Sequence, residues 1–346
     1  MWDKKREIKK IIKAINYQGE FKDTCILLIG SNGFLGRWFY DFFSLIDCKL
    51  ICMDNDIAPN DTKTIYIKKD ICEDIKDMIP KNKYNIDYVI NCAGIASPEK
   101  YSKLPIETLD VSYLGTKNVL ELCREHEVKS ALFFSSSEIY GTPDKTSIPT
   151  KETYVGKVPT DSNRSCYDIG KLALETLVNV YVDKYDINAK IVRPFNLYGP
   201  YMGTKDNRVL SNFMNNYLAD IPLKVYGSGN QTRTYCYAGD GIGIMLKIIL
   251  DGTNGETYNI GKDSPEINVK ELAAIFYKAL GGTKNIEVIS YPIDYPSDEP
   301  SRRCPDVSKV KKEFNLQALT DFKTGIIVMK DYFKKNNKGT SYDPVI

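Results

Sequence analysis

The sequence predicts an α/β fold, a doubly wound parallel sheet with a smaller C-terminal lobe interleaved with it. Three observations carry this. From Thr24 onward, short apolar runs alternate with helix-length stretches; the first run ends in a glycine-rich turn; beyond about Asn196 the composition shifts toward Gly, Asn, Tyr and Pro.

The elements follow in order. Ile8, Ile11, Ile12 and Ile15 recur at i, i+3, i+4 and i+7 among lysines, which predicts one amphipathic helix within residues 1–21. Its few large apolar residues favour packing on the main domain or a second subunit over a membrane surface. The runs Cys25–Ile29, 50–53, Tyr88–Asn91, 131–134 and 189–192 read as buried parallel strands, with a short third strand ahead of Asp70. Helical patterns at 34–45, 105–125 and 167–184 connect them, giving β-α-β units with right-handed crossovers. Residues 22–196 are thus the expected sheet domain. Residues 197–346, with helices near 207–219 and Val269–Leu280, are the expected smaller lobe over the strand ends.

Composition narrows the function. The 346 residues are 42% hydrophobic and 27% charged, which excludes disorder and fibrous repeats. Forty-seven basic against forty-five acidic residues give +2, so no basic field for nucleic acid or a membrane is expected. The apolar runs are too short to cross a bilayer and no leader pattern is present, so the reading is a cytoplasmic protein. The single histidine, His126, lies in a charged stretch and is expected to be a solvated helix-end residue; no Ser–His–Asp triad or histidine metal site follows. The nine cysteines show no C-x-x-C pair and read as thiols in a reducing compartment, with no metal.

Two constellations carry chemistry. The first strand runs into Gly30-Ser31-Asn32-Gly33-Phe34-Leu35-Gly36, where glycines let backbone approach a pyrophosphate at a helix N-terminus. Asp54 lies about 20 residues on, at the end of the second strand, where a carboxylate accepts the ribose hydroxyls and favours NAD over NADP. Together these predict a Rossmann-like dinucleotide site. Asp70-Ile71 sits where the adenine edge would lie, or caps a helix. The second constellation is Tyr167-Asp168-Ile169-Gly170-Lys171: Tyr167 and Lys171 share one helix face, and the ammonium is expected to lower the phenol's pKa. With Ser135-Ser136-Ser137-Glu138 at an intervening strand end, this suits hydride transfer at a carbinol. Tyrosine takes the proton while a serine steadies the oxyanion.

Those motifs, with the run from Arg193 to Pro200 and Tyr226-Gly227-Ser228-Gly229-Asn230-Gln231-Thr232-Arg233, resemble the extended short-chain dehydrogenase/reductases that act on nucleotide sugars. The resemblance covers nearly the whole chain after residue 22 and is closest to UDP-glucuronate decarboxylases. Ser135–Gly141 is similar to their Ser-Thr-Ser-Glu-Val-Tyr-Gly, and Arg164-Ser165-Cys166-Tyr167-Asp168 to their Arg-Ala-Cys-Tyr-Asp. The resemblance implies NAD on the first lobe, touching Gly30, Gly33, Phe34, Leu35, Gly36, Asp54, Asp70, Ile71, Ala93, Tyr167 and Lys171. It implies a nucleoside-diphosphate sugar, most like a UDP-sugar, on Ala96, Tyr101, Arg164, Asn196, Arg208, Lys224, Tyr226, Arg233 and Arg303. Catalysis would fall to Ser136, Glu138, Tyr167, Lys171 and Arg303, with Glu138 positioning or deprotonating the sugar and Arg303 or a water reprotonating C5. Relatives pair the helices at 105–125 and 167–184, so a homodimer is expected.

The sequence also departs from that pattern. Asp168-Ile169-Gly170-Lys171-Leu172 replaces Asp-Glu-Gly-Lys-Arg, and Asn91-Cys92-Ala93-Gly94 replaces a His-Leu-Ala run. A 4,6-dehydratase, a 4-epimerase and a non-catalytic nucleotide-sugar-binding regulator are the competing readings. Ser137, a poor acid, stands where dTDP-glucose dehydratases carry an aspartic acid.

Overall fold

Alternate side chains of Cys25-Ile26-Leu27-Leu28-Ile29 point to opposite sides of a sheet, and all five are buried. The computed structural model describes residues 2–56, 62–203, 206–282, 284–291 and 300–336, and in it this run is strand β1 (Cys25–Ile29). It is followed by β2 (Lys49–Asp54), β3 (Ile65–Lys68), β4 (Tyr88–Asn91), β5 (Ser130–Phe134) and β6 (Ala189–Pro194). With Thr257–Ile260 they form a seven-stranded parallel sheet in the order Thr257–Ile260, β6, β5, β4, β1, β2, β3. The register sets Ile26 against Leu50 and Tyr88, and Leu132 against Lys190.

Ile26 and Leu28 face one side with Ile90, Leu132 and Val192; Leu27 and Ile29 face the other with Val89, Phe133 and Ile191. Both faces are covered by helices, which is why the strands are apolar throughout. Fully burying each leucine of β1 stabilises the fold by about 2 kcal/mol.

The helices are α1 (Lys4–Ala14), α2 (Phe34–Phe43), α3 (Pro98–Lys103), α4 (Pro105–Asp110), α5 (Thr116–His126), α6 (Ser165–Tyr185), α7 (Val209–Leu218) and α8 (Ala238–Asp251). Asp3 caps α1 by accepting from the Lys5 and Arg6 N–H groups. Ile8, Ile11 and Ile15 are buried, and Gly243 on α8 leaves room for Ile11 and Ile15 to approach closely. The expected single helix at 105–125 is interrupted: α4 passes through a π turn at Val111–Gly115 into α5, and Gly115 lies against the Ile71 side chain.

Two expectations are corrected. His126 is not solvated; it is 4% exposed, with Nε2 2.9 Å from the Ile79 carbonyl oxygen. A charged neighbourhood in sequence becomes, on the inner face of α5, a buried one in space. The strand Thr257–Ile260 was not among the expected strands because Asn259 breaks its apolar run. That buried amide donates to the Thr150 and Asp306 carbonyls and accepts from the Tyr140 hydroxyl. All nine cysteines are free thiols. Among the described residues no helix is long and apolar enough to cross a membrane.

The chain beyond β6 builds short sheets beside the main one. Leu223–Tyr226 pairs with Ile286–Ile289, and Thr232–Arg233 lies between Ile267–Asn268 and Arg302–Arg303. Between these pieces, Thr257–Ile260 returns to the main sheet beside β6.

Candidate active site

In a doubly wound sheet, ligands bind outside the carboxyl ends of the strands where the strand order reverses, here between β1 and β4. The glycine turn occupies that point. Gly30 has φ +73, and a Cβ on it would lie 2.7 Å from the Ala93 nitrogen; one on Gly36 would lie 2.0 Å from the Gly30 carbonyl oxygen. Gly33 caps α2 without a side-chain hydrogen bond, so the first N–H groups of that helix face outward. The Ser31 hydroxyl, in the same turn, is buried with no hydrogen-bond partner among the described residues. An open helix N-terminus, a cradle that a Cβ would fill and an orphaned hydroxyl fit a dinucleotide pyrophosphate.

Around this turn, Asp54 ends β2 half-buried and accepts from the Asn32 and Asp56 N–H groups at 2.8 and 3.1 Å, so it also holds the turn in shape. Asp70 is exposed and accepts from the Cys72 N–H at 2.9 Å, while Ile71 is buried against Gly115. Ala93 lies beside Gly30 and donates to the Asn91 side chain at 3.2 Å. Phe34 and Leu35 open α2 half-buried.

Tyr167 and Lys171 sit one turn apart on α6, both buried. The Lys171 ammonium lies 5.8 Å from the Tyr167 ring centroid and donates to the Phe134 carbonyl at 2.8 Å. Burial holds Lys171 down to about 8. Burial also pushes the Tyr167 phenol up to about 12, against the lowering effects of its Ser136 hydrogen bond and of Arg208. The expectation that Lys171 lowers the phenol is therefore corrected: desolvation outweighs an ammonium directed at a backbone carbonyl. Ser136 also accepts from the Glu138 N–H at 3.2 Å, which sets the 3-10 turn Ser137–Tyr140 at the end of β5.

Glu138 joins two guanidiniums. Arg303 donates to it through Nη2 at 3.0 Å and also reaches the Gly141 carbonyl, while Arg164 pairs with the same carboxylate. Burial alone would raise the Glu138 carboxyl, but Arg303 and Arg164 outweigh it and hold it at about 2. A carboxylate that acidic is a poor base, so the expected option that Glu138 deprotonates the sugar does not fit; orienting the two arginines does.

Beside this cluster lies a cavity of about 650 Å³ whose lining includes Tyr101, Arg164, Asn196, Arg208, Lys224, Tyr226 and Arg233. The Asn196 backbone is left-handed at φ +43, and its side-chain nitrogen is buried with no partner among the described residues. Arg208 forks onto Asp206, with Nε 2.9 Å from each oxygen, and lies 5.4 Å from the Phe34 ring centroid. Arg233 donates to the Pro300 carbonyl at 2.7 Å. Two expected residues are outside that lining: Ala96 is exposed on the loop before α3, and Arg303 is buried and paired with Glu138. Glu99, Met202 and Tyr235 line the cavity without having been expected. Nothing in their spacing marks them; only the fold brings them there.

Known proteins resemble this chain along most of its length. Residues 26–261 match the family model described as the NAD dependent epimerase/dehydratase family. UDP-glucuronic acid decarboxylase 1 of Arabidopsis thaliana is 30% identical over 311 residues, 89% of this chain and 69% of that one. Its counterpart in Xenopus tropicalis is 30% identical over 312 residues, 90% and 72% of the two chains. Among solved structures, UDP-glucose 4-epimerase of Thermotoga maritima with UDP-glucose superposes with a TM-score of 0.81 at 21% identity, covering 90% of this chain and 99% of that one. A dTDP-glucose 4,6-dehydratase of Bacillus anthracis in complex with NAD gives 0.77 at 23%, covering 91% and 98%. The chain belongs to the NAD dependent epimerase/dehydratase family, and it is a nucleotide-sugar-modifying enzyme with NAD as its cofactor.

Proposed function

We propose that this enzyme decarboxylates UDP-glucuronate to UDP-xylose. The observation that carries the reading is the charge beside the Tyr167 phenol. One carboxylate, Glu138, is held between the Arg303 and Arg164 guanidiniums, with Arg233 adding to the field on it. Asp168, 3.8 Å from the Arg164 Nε, is a second carboxylate here, so three guanidiniums face two carboxylates, and the one cation in excess suits a substrate bearing a carboxylate at C6. Dehydration of an uncharged hexose would need an acid near C6, and the residue after Ser136 is a serine.

As its phenolate, Tyr167, hydrogen-bonded by Ser136, takes the proton of the C4 hydroxyl. NAD supplies a reversible hydride acceptor for C4. The resulting ketone is β to the C6 carboxylate, so the C5–C6 bond breaks, carbon dioxide leaves, and its electron pair forms an enolate. Ser136 and the protonated Tyr167 stabilise that enolate by hydrogen bonding. Protonation at C5 is assigned to a water: a guanidinium is a weak acid, and Arg303 already spends N–H groups on Glu138 and Gly141. Return of the Tyr167 proton to the C4 oxygen then closes the cycle, which a reversible hydride acceptor would leave redox-neutral. Arg208 and Lys224, which line the cavity, supply cations for the diphosphate.

Mass spectrometry and NMR of UDP-glucuronate incubated with the purified protein and catalytic NAD test this. Formation of UDP-xylose or its 4-keto pentose is expected. Unchanged UDP-glucuronate, with loss of water from or C4 inversion of an uncharged nucleotide hexose, would replace the reading by a dehydratase or an epimerase.

A further inference from the structure

Tyr101 does more than line the sugar cavity. Its ring lies on the ring of Tyr167, with centroids 5.3 Å apart and planes 18° from parallel. It is 3% exposed, so little solvent reaches the stack from its side. The stack is built from both ends. Tyr101 sits in α3, which Pro98 starts and whose first bond is Tyr101 N–H to the Ser97 carbonyl at 3.0 Å. The Cys166 thiol, adjacent to Tyr167 in sequence, donates to the Tyr101 carbonyl at 3.6 Å.

A phenol acting as acid and base must hold its oxygen within a fraction of an ångström of the reacting hydroxyl. Ser136 fixes the tip of Tyr167, but a hydrogen bond at the tip leaves the ring free to tilt. A flat partner against one face removes that freedom. We infer that Tyr101 is a positioning residue for Tyr167: its stacked ring directs the phenol toward Ser136 and the C4 hydroxyl and keeps water off one ring face. The same exclusion of water contributes to the burial that raises the phenol. The inference rests on Tyr167 as the acid/base of the proposed reaction and adds a role that a sugar contact through the Tyr101 hydroxyl does not include.

The test uses the full-length protein with NAD and UDP-glucuronate, comparing Tyr101→Phe with Tyr101→Leu. Phenylalanine keeps the stack and should hold kcat within about threefold, whereas leucine should lower kcat by about 10–100-fold with a smaller change in KM. In the leucine variant the rising limb of the kcat–pH profile should also move to lower pH, because the phenol regains water. If leucine does not fold, Tyr101→Met fills the space without a planar ring and replaces it. Equal kcat in the phenylalanine and leucine variants, or a rise in KM alone in both, overturns the inference. Should the wild type act only on an uncharged UDP-hexose, the decarboxylase reading falls, and the same variants on that hexose still decide the role of Tyr101. Full activity in Tyr167→Phe overturns both.

Discussion

Strand β5 ends on a buried lysine at each edge of the sheet. At its amino end, the Lys190 ammonium donates to the Ser130 hydroxyl at 2.8 Å and to the Asn188 side chain at 2.6 Å. At its carboxyl end, Lys171 donates to the Phe134 carbonyl at 2.8 Å. Both are almost wholly buried, both have neutral acceptors, and burial lowers both to about 8. The two differ in what surrounds them. Tyr167, itself hydrogen-bonded by Ser136, lies beside Lys171, and Cys92 and Gly94 of the loop after β4 are close to its ammonium, whereas Lys190 packs among strand residues, with Asp251 the charge that acts on it. A desolvated ammonium is therefore no mark of a site by itself; its place at the carboxyl edge, beside other reactive groups, is.

That contrast is broken or sharpened by three variants. Lys171→Met should have the largest effect, lowering turnover by about 10²–10⁴-fold, the range that positioned proton-transfer groups contribute. A Lys171→Met enzyme retaining full rate would erase the distinction. Next, Arg303→Lys keeps a charge but loses the fork onto Glu138 and Gly141, and should lower decarboxylation by at least about tenfold while NAD binding, measured by fluorescence titration, stays within about threefold. Equal loss of both would remove Arg303 from the reaction and leave it a structural role.

Lys190→Met should leave turnover unchanged and act on stability alone. Burial holds folded Lys190 down to about 8, below the ordinary 10.5 of an unfolded lysine. Between those values the unfolded chain binds more protons, so this group's contribution to stability rises with pH. The cost is fully present below about pH 8, amounts to roughly 3 kcal/mol, and fades as pH approaches about 10.5. Melting curves should show the methionine variant more stable than wild type at neutral pH, with the gap narrowing at pH 10. A gap that widens would contradict the assignment.

Much of this arrangement is legible in the sequence. β1 and β4 follow from uninterrupted apolar runs, and the glycine turn and the Tyr–Lys pair follow from local spacing, because each depends on neighbours within one turn of chain. What depends on distant neighbours is not legible. The strand Thr257–Ile260 hides behind Asn259, whose polarity is satisfied by Thr150, Asp306 and Tyr140. His126 looked solvated because its carbonyl partner, Ile79, is far away in sequence. The direction of the Tyr167 shift could not be read from spacing, since burial rather than the nearby ammonium decides it. The stack of Tyr101 on Tyr167 likewise joins α3 to α6.

In the proposed reaction one site oxidises C4, expels the C6 carboxylate and returns the same hydride. UDP-glucuronate carrying deuterium at C4 and a labelled C6 tests all three steps at once. Labelled carbon dioxide and UDP-xylose that retains its deuterium at C4 are expected. Loss of deuterium to solvent, or retention of the C6 label in the product, would contradict that reaction.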